Sequence, residues 1–252
     1  MINRRVGLAA VPPAVLRLLP MLPIALRSLM MGAVLAVAGP VRALPVEASV
    51  PGGVKIIRLS AGDPPSRAVF QGRRVLLFER EARWYALVGL PLDLAVGPHA
   101  IEIHRGGRVE TERFTVNAKH YPVQQLRIPD QRKVDPSPTD LARIRREQQL
   151  IADVKNRWED RDDVELDFVL PANGPLSSRF GLRRVLNGQP RAPHAGLDVA
   201  IPRGTPIGAA AAGVVTHVGD FFFNGKTVFV DHGQGLVSMY CHLDEIGVQP
   251  GQ

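Results

Sequence analysis

The sequence predicts a mainly β protein with a small N-terminal β-sandwich-like domain, one linking α-helix and a C-terminal antiparallel β-sheet domain. Three observations lead to this fold class. Short runs of β-branched and aromatic residues recur at intervals of about ten residues between turn residues in the first half of the chain. A helical apolar periodicity follows. Two further strand-like runs then flank a glycine-containing turn.

Residues 1–43 have the pattern of a signal peptide. They hold five arginines and no acidic residue, an apolar run over 29–41, and a small-residue site at Val41-Arg-Ala43. Thirteen apolar residues are too few to span a bilayer comfortably, although an uncleaved anchor remains the alternative. We therefore expect an exported protein, periplasmic or in the cell envelope, that meets the membrane only through this segment.

The charge of the chain belongs mostly to this segment. Without residues 1–43 the formal net charge falls from +7 to +2. The composition thus gives no reason to expect nucleic-acid binding. Cys241 is the lone cysteine, so an internal disulfide is excluded, and a place in the core as a small apolar side chain is expected.

The β-rich N-terminal domain is predicted over residues 44–120, after the signal peptide. Its strand-like runs are separated by glycine and proline. They cover residues 54–59, 69–70, 74–78, 84–88, 99–104 and 112–116.

A linker and an amphipathic helix are predicted over residues 121–166. Residues 121–136 are polar and punctuated by proline. Ser137 then has the character of an N-cap, with Pro138 in the first helical position and Asp140 in the first turn. Apolar positions repeat every three or four residues to about Trp158, where the helix is expected to end.

The C-terminal domain is predicted over residues 167–252 and is again rich in strands. Residues 205–219 alternate small and β-branched side chains. Residues 227–231 and 236–243 flank a turn at 232–235, the pattern of a β-hairpin. His217 and His232 in this region are interpreted as structural histidines.

Two residues of this domain, His194 and Asp198, have the spacing and chemistry of zinc ligands. On a straight strand they would lie roughly 13 Å apart, and Pro193 and Gly196 argue against a helix. A strand that bends at Gly196 would bring both donors to one point. The alternative is a turn histidine and a capping aspartate with no metal.

The motifs around this pair give the chain a family resemblance. They are Asn173–Arg183, the His194-x-x-x-Asp198 element, Gly204–Val215 and the Tyr-Cys-His-Leu run that ends at Leu243. Together, residues 171–252 resemble the lysostaphin/LytM-type zinc endopeptidases, which cut peptide cross-links of bacterial cell walls. The resemblance implies that His194 and Asp198 bind Zn²⁺ and that His242 helps catalysis. It also implies an open antiparallel sheet with a groove along one face.

One motif of that family is absent from the sequence. The family takes its third protein ligand and a second catalytic histidine from a His-x-His element, and no such element occurs here. The peptidase domain is therefore expected to be incomplete. Either the sequence is a fragment of a longer enzyme or the protein is defective as a hydrolase. We favour the first hypothesis.

The predicted function is zinc-dependent hydrolysis of peptide cross-links in peptidoglycan, with His242 as the catalytic residue. One alternative is a non-catalytic member of the same fold that binds and activates other cell-wall hydrolases. Another is a β-sheet carrier or adhesion module that needs no metal. The predicted partner is thus the peptidoglycan peptide. No feature of the sequence indicates an oligomeric state.

Overall fold

The structure, a computed structural model, describes residues 45–252, which are mainly β with one α-helix. The predicted fold class is confirmed. The signal peptide predicted for residues 1–43 lies outside the described residues. Within residues 45–252, no helix has both the length and the apolar character needed to cross a membrane.

The first six strands form one antiparallel sheet that folds over its own core. They are β1 (Val54–Arg58), β2 (Arg67–Phe70), β3 (Arg73–Arg80), β4 (Arg83–Gly89), β5 (Gly97–Arg105) and β6 (Arg108–Val116). Their order is β1-β4-β3-β2-β5-β6. The long strand β3 pairs with β2 through its first residues and with β4 through its last ones. Both halves of the sheet contribute to one apolar core, so the sandwich-like arrangement follows from the alternation of inward residues.

A strand that was not predicted follows this sheet. Val123–Leu126 form β7, which pairs in parallel with β9 (Arg183–Leu186). The short strand β10 (Gln189–Pro190) completes the three-stranded sheet. The polar, proline-punctuated sequence of 121–136 predicted only a linker, because the partner strand lies about sixty residues further along the chain.

The helix α1 spans Pro138–Asn156 and begins where the sequence predicts. Ser137 is the N-cap, and its side chain and Asp140 form a reciprocal capping box. The helix ends before Trp158, whose ring instead lies beneath the Arg74 guanidinium, 4.2 Å from it. Glu147 on the helix accepts a hydrogen bond from the Phe222 backbone at 2.7 Å, so the helix packs against the C-terminal strands.

Asp140 is also held by a residue outside the helix. The Arg132 guanidinium donates to it at 2.7 Å, and Ser137 donates through its hydroxyl at 2.9 Å. The hydrogen bond from Arg132, followed by those from Ser137, outweighs the effect of burial and lowers the pKa of Asp140 to about 2.

This lowered pKa predicts an acid-dependent loss of stability. The unfolded chain protonates Asp140 near its usual pKa of about 3.9. The stabilisation by the carboxylate is therefore complete above about pH 4 and declines as the pH falls towards about 2.

Asp140→Asn should lower the free energy of unfolding at neutral pH, and the difference from wild type should shrink at about pH 2.5. Urea unfolding at both pH values measures this, with Asp153→Asn on the exposed face of α1 as control. A difference that stays constant with pH would contradict it.

The remaining strands, all in the C-terminal part of the chain, form two antiparallel sheets. β12 (Val214–Phe221), β13 (Gly225–Asp231) and β14 (Val237–Leu243) lie in the order β12-β13-β14. β8 (Leu176–Ser178) pairs with β11 (Asp198–Val199). The predicted hairpin around 232–235 is confirmed. The expected strand character of 205–213 is wrong, because this Gly- and Ala-rich run bonds to other loops instead, with Gly208 donating to Pro171 and Val169 donating to Ala210.

Gln234, in the turn between β13 and β14, joins this hairpin to the N-terminal sheet. Its side-chain oxygen accepts from the Leu77 backbone N–H at 2.9 Å, and its amide donates to the Leu77 carbonyl at 3.0 Å. The same amide donates to Arg161 at 2.7 Å. Gln234 thus satisfies both backbone groups of a β3 residue, much as a neighbouring strand would.

Candidate functional site

His194 lies in the loop between β10 and β11 and is almost fully buried. Three contacts hold it to residues 179–182, which we call the 179–182 segment. The His194 N–H donates to the Leu182 carbonyl at 2.8 Å, and its own carbonyl accepts from Gly181 at 2.8 Å. The ring atom Nδ1 lies 3.0 Å from the Arg179 carbonyl oxygen. Both the backbone and the ring of His194 are therefore fixed by this segment.

These contacts determine which ring nitrogen carries the proton. A carbonyl oxygen can only accept a hydrogen bond, so Nδ1 of His194 donates to Arg179. The buried Ser178 hydroxyl lies 3.0 Å from the same Nδ1 and can share that proton. In a neutral imidazole the lone pair is then on Nε2. Such an Nδ1–H bond to a backbone carbonyl is typical of histidines that bind metal through Nε2.

Asp198 faces that lone pair. It is the first residue of β11, and the chain bends at Gly196, where an added Cβ would lie 3.5 Å from Nε2 of His194. The Asp198 Oδ1 atom lies 3.1 Å from Nε2 of His194. The bend expected at Gly196 is present, and the two donors meet.

The arrangement calls for a positive charge between the two atoms. A carboxylate oxygen and an imidazole lone pair are both acceptors, so at 3.1 Å they repel unless a proton or a metal ion lies between them. Two ligand atoms at about 2.0–2.2 Å from one tetrahedral zinc would be separated by about 3.3–3.6 Å, close to the separation seen here. The second oxygen of Asp198 lies 3.5 Å from the Arg184 guanidinium, which leaves Oδ1 directed at His194. The donor pair therefore fits zinc in chemistry and in separation.

His242, the predicted catalytic residue, lies on β14. Its own strand carries a bulge, since Thr227 on β13 stands opposite both Cys241 and His242 on β14. His242 has a positive φ of 58° and an exposed side chain. It lines a cleft together with Phe223, in the turn between β12 and β13, and Gly225, the first residue of β13.

The bulge changes which side chains of this strand share a face. Regular alternation would place Tyr240 and His242 on the same face. Instead, Tyr240 and Leu243 pack together against the apolar cluster of Val228 and Val230. The extra residue shifts the alternation, so Tyr240 and His242 do not share a face. Within residues 45–252, no hydrogen bond or ion pair joins His242 to His194 or Asp198.

Cys241 is half-buried rather than in the core. Burial raises the pKa of its thiol, while hydrogen bonding to Asn224 and Thr227 partly opposes this. The Asn224 amide donates to the sulfur at 3.6 Å. Within residues 45–252, no three histidine, cysteine, aspartate or glutamate side chains gather as a metal site, so Cys241 does not complete the His194–Asp198 pair.

His217 and His232 have structural surroundings, as the sequence predicts. The His217 ring packs edge-on against Phe221 and Phe229. His232 is buried, with Nδ1 2.7 Å from the Ala212 carbonyl and Nε2 2.8 Å from the Ser238 hydroxyl. Both nitrogens of His232 are thus occupied by the protein itself.

Sequence reasoning missed the groups that surround the donor pair. Ser178 and Arg179 belong to a run whose resemblance to the family was recognised, but nothing in it showed that they contact the histidine ring. Arg184 is one of two adjacent arginines, and only the strand register of β9 tells which of them faces Asp198.

The fold and the donor pair define a β-sheet protein with a candidate site for one divalent metal ion. Comparison with known proteins then identifies its family. Residues 192–252 match the profile of Peptidase family M23, and residues 47–119 match that of the Peptidase family M23 N-terminal domain. The crystal structure of a Pseudomonas aeruginosa protein assigned to peptidase M23 is 42% identical and superposes with a TM-score of 0.68 over 82% of this chain and 78% of that one. The chain belongs to peptidase family M23.

Two curated relatives match a shorter region. The peptidoglycan DD-endopeptidase ShyA of Vibrio cholerae is 38% identical over 78 residues, which is 31% of this chain and 18% of that protein. The DD-carboxypeptidase/endopeptidase Mpg of Neisseria meningitidis is 36% identical over 76 residues, 30% of this chain and 18% of that protein. The matched region thus spans less than a fifth of the length of either relative.

Proposed function

We propose that this protein is a zinc-dependent endopeptidase that hydrolyses peptide cross-links of bacterial peptidoglycan in the cell envelope. The observation that carries the proposal is the pair of acceptors, Nε2 of His194 and Oδ1 of Asp198, held 3.1 Å apart. A metal ion between these atoms supplies the positive charge that two facing acceptors require. Membership of peptidase family M23 and the names of the two peptidoglycan-cleaving relatives support the substrate.

The residues take the following roles in this proposal. His194 and Asp198 hold the zinc, and Arg179 and Ser178 keep the His194 lone pair directed at the metal position. When bound, zinc polarises a carbonyl and lowers the pKa of bound water towards about 7. His242 exchanges a proton with the peptide, and its exposed ring is accessible from the cleft beside β14.

The proposed location follows from the substrate. Peptidoglycan lies outside the cytoplasmic membrane, so a protein that cuts it must be exported. The arginine-rich, then apolar, sequence of residues 1–43 supports export to the periplasm or cell envelope.

One observation favours a second candidate function. A catalytic zinc normally has three protein ligands, and residues 45–252 bring together only two donors of this kind. A member of the same fold that binds peptidoglycan hydrolases and activates them would need no complete metal centre.

The test is digestion of purified, cross-linked peptidoglycan. With zinc present, we expect cross-linked muropeptide dimers to be converted to monomers, measured by liquid chromatography and mass spectrometry, and we expect a chelator to stop the conversion. Restoring zinc should restore it. Binding to partner hydrolases with no loss of dimers at any zinc concentration would instead support the activator.

A further inference from the structure

The N-terminal sheet reaches the loop that holds the candidate metal ligand. Gly181, in the 179–182 segment, is buried and has a φ of +86°. The ring of Tyr121 lies directly against it, because an added Cβ at Gly181 would be 2.0 Å from Cε1 of Tyr121. Gly181 therefore lies in a position where only a residue without a side chain fits beneath this ring.

Tyr121 is itself fixed to the N-terminal sheet. Its hydroxyl donates to the Pro51 carbonyl at 2.8 Å, and the Lys119 ammonium lies 4.9 Å from the centre of its ring. The adjoining Gly52 donates to the Leu90 carbonyl at 2.9 Å, just beyond the end of β4. The turn at residues 51–53 is thus hydrogen-bonded to the residues that follow β4.

A second contact lies beside the first. An added Cβ at Gly52 would be 2.7 Å from Cε1 of Phe180, so the Phe180 ring also rests on this turn. Two successive residues of the 179–182 segment therefore contact residues outside the peptidase region: Phe180 contacts Gly52, and Gly181 contacts Tyr121. The same segment makes both backbone hydrogen bonds of His194 and one of the two contacts of its Nδ1 atom.

We propose that Tyr121 is a positioning residue for the metal site, through which the N-terminal domain supports His194. The contact runs from the turn at 51–53 through the Tyr121 ring to Gly181, and from Gly181 to the His194 backbone. Removing the ring leaves a void beneath Gly181 and frees the 179–182 segment to move. The orientation of the His194 lone pair then becomes less well defined, and the affinity for a divalent metal falls. The metal part of this inference rests on the proposed function.

Two measurements on Tyr121→Ala test the inference. Zinc affinity, measured by competition with a chromophoric chelator, should fall about ten-fold, the usual effect of losing a supporting contact around a metal ligand. Without metal, hydrogen exchange at the Gly181 and His194 amides should be faster than in wild type, while exchange at the Phe229 amide in β13 should be unchanged.

Matched variants separate positioning from general destabilisation. Tyr121→Phe keeps the ring against Gly181 and should retain most of the affinity. Tyr85→Ala removes another half-buried tyrosine, which stacks on Phe78 within the N-terminal sheet, and should leave metal binding unchanged. Should Tyr121→Ala fail to fold, Tyr121→Leu takes its place.

The outcomes are distinct. Unchanged exchange at Gly181 and His194 in a folded Tyr121 variant would overturn the inference, as would a higher zinc affinity, which would mean that the N-terminal domain hinders the site. If wild-type protein binds no zinc, the proposed function fails, and the exchange comparison still decides whether Tyr121 supports His194.

Discussion

Replacing His194 with alanine is expected to lower the zinc affinity by at least about 100-fold, a larger loss than that caused by removing an outer contact. Within residues 45–252, the imidazole supplies one of two converging donors, and its Nδ1–H bond to Arg179 directs the lone pair at the site. Asp198→Asn should have a similar effect, because an amide is neutral and a much weaker ligand than a carboxylate. Isothermal titration with zinc measures both variants, and hydrolysis of cross-linked peptidoglycan should be lost in parallel.

The control for this prediction is His120→Ala. His120 is exposed and lies outside the C-terminal sheets, so its loss should leave zinc affinity unchanged. Equal affinities in wild type and His194→Ala would show that zinc binds elsewhere, and the proposed roles of His194 and Asp198 would be wrong.

Phe229→Ala is expected to destabilise the C-terminal sheet by about 3–5 kcal/mol, the usual range for removing a fully buried phenylalanine. Phe229 is 0% exposed and lies on β13, the central strand of its sheet. Its ring packs edge-on against Phe221, with centroids 5.8 Å apart, and against His217. A cavity there cannot collapse easily, since neighbouring strands hold both sides of β13. Urea unfolding followed by circular dichroism measures the loss.

Phe223→Ala is the matched control for packing. Phe223 lies in the adjoining turn and is 47% exposed, so its removal should cost no more than about 0.5 kcal/mol. Equal losses for the two phenylalanines would mean that β13 is not the buried centre of this sheet.

Local signals in the sequence predicted most of the fold. Each strand of the N-terminal sheet contains an alternating run bounded by turn residues, and Ser137 and Asp140 marked the start of the helix through their own capping chemistry. Interactions between distant residues were not predictable in this way. β7 becomes a strand because β9 pairs with it, and Gln234 joins the hairpin to β3 through a contact across 157 positions.

The same distinction between local signals and contacts of distant residues applies to the candidate site. The convergence of His194 and Asp198 followed from the bend that Gly196 permits, a local property. The face on which His242 lies could not be predicted in this way, because a one-residue bulge in β14 breaks the regular alternation of side chains. The support from Ser178, Arg179 and Tyr121 depends on which loops meet, and no spacing within the sequence encodes it.

The central claim is that one divalent metal ion lies between His194 and Asp198. A crystal structure of the protein with zinc, with diffraction recorded on both sides of the zinc absorption edge, tests it most directly. We predict an anomalous peak about 2.0–2.2 Å from both Nε2 of His194 and Oδ1 of Asp198. A fully occupied zinc peak elsewhere, with these two atoms still facing each other across a vacant gap, would contradict it.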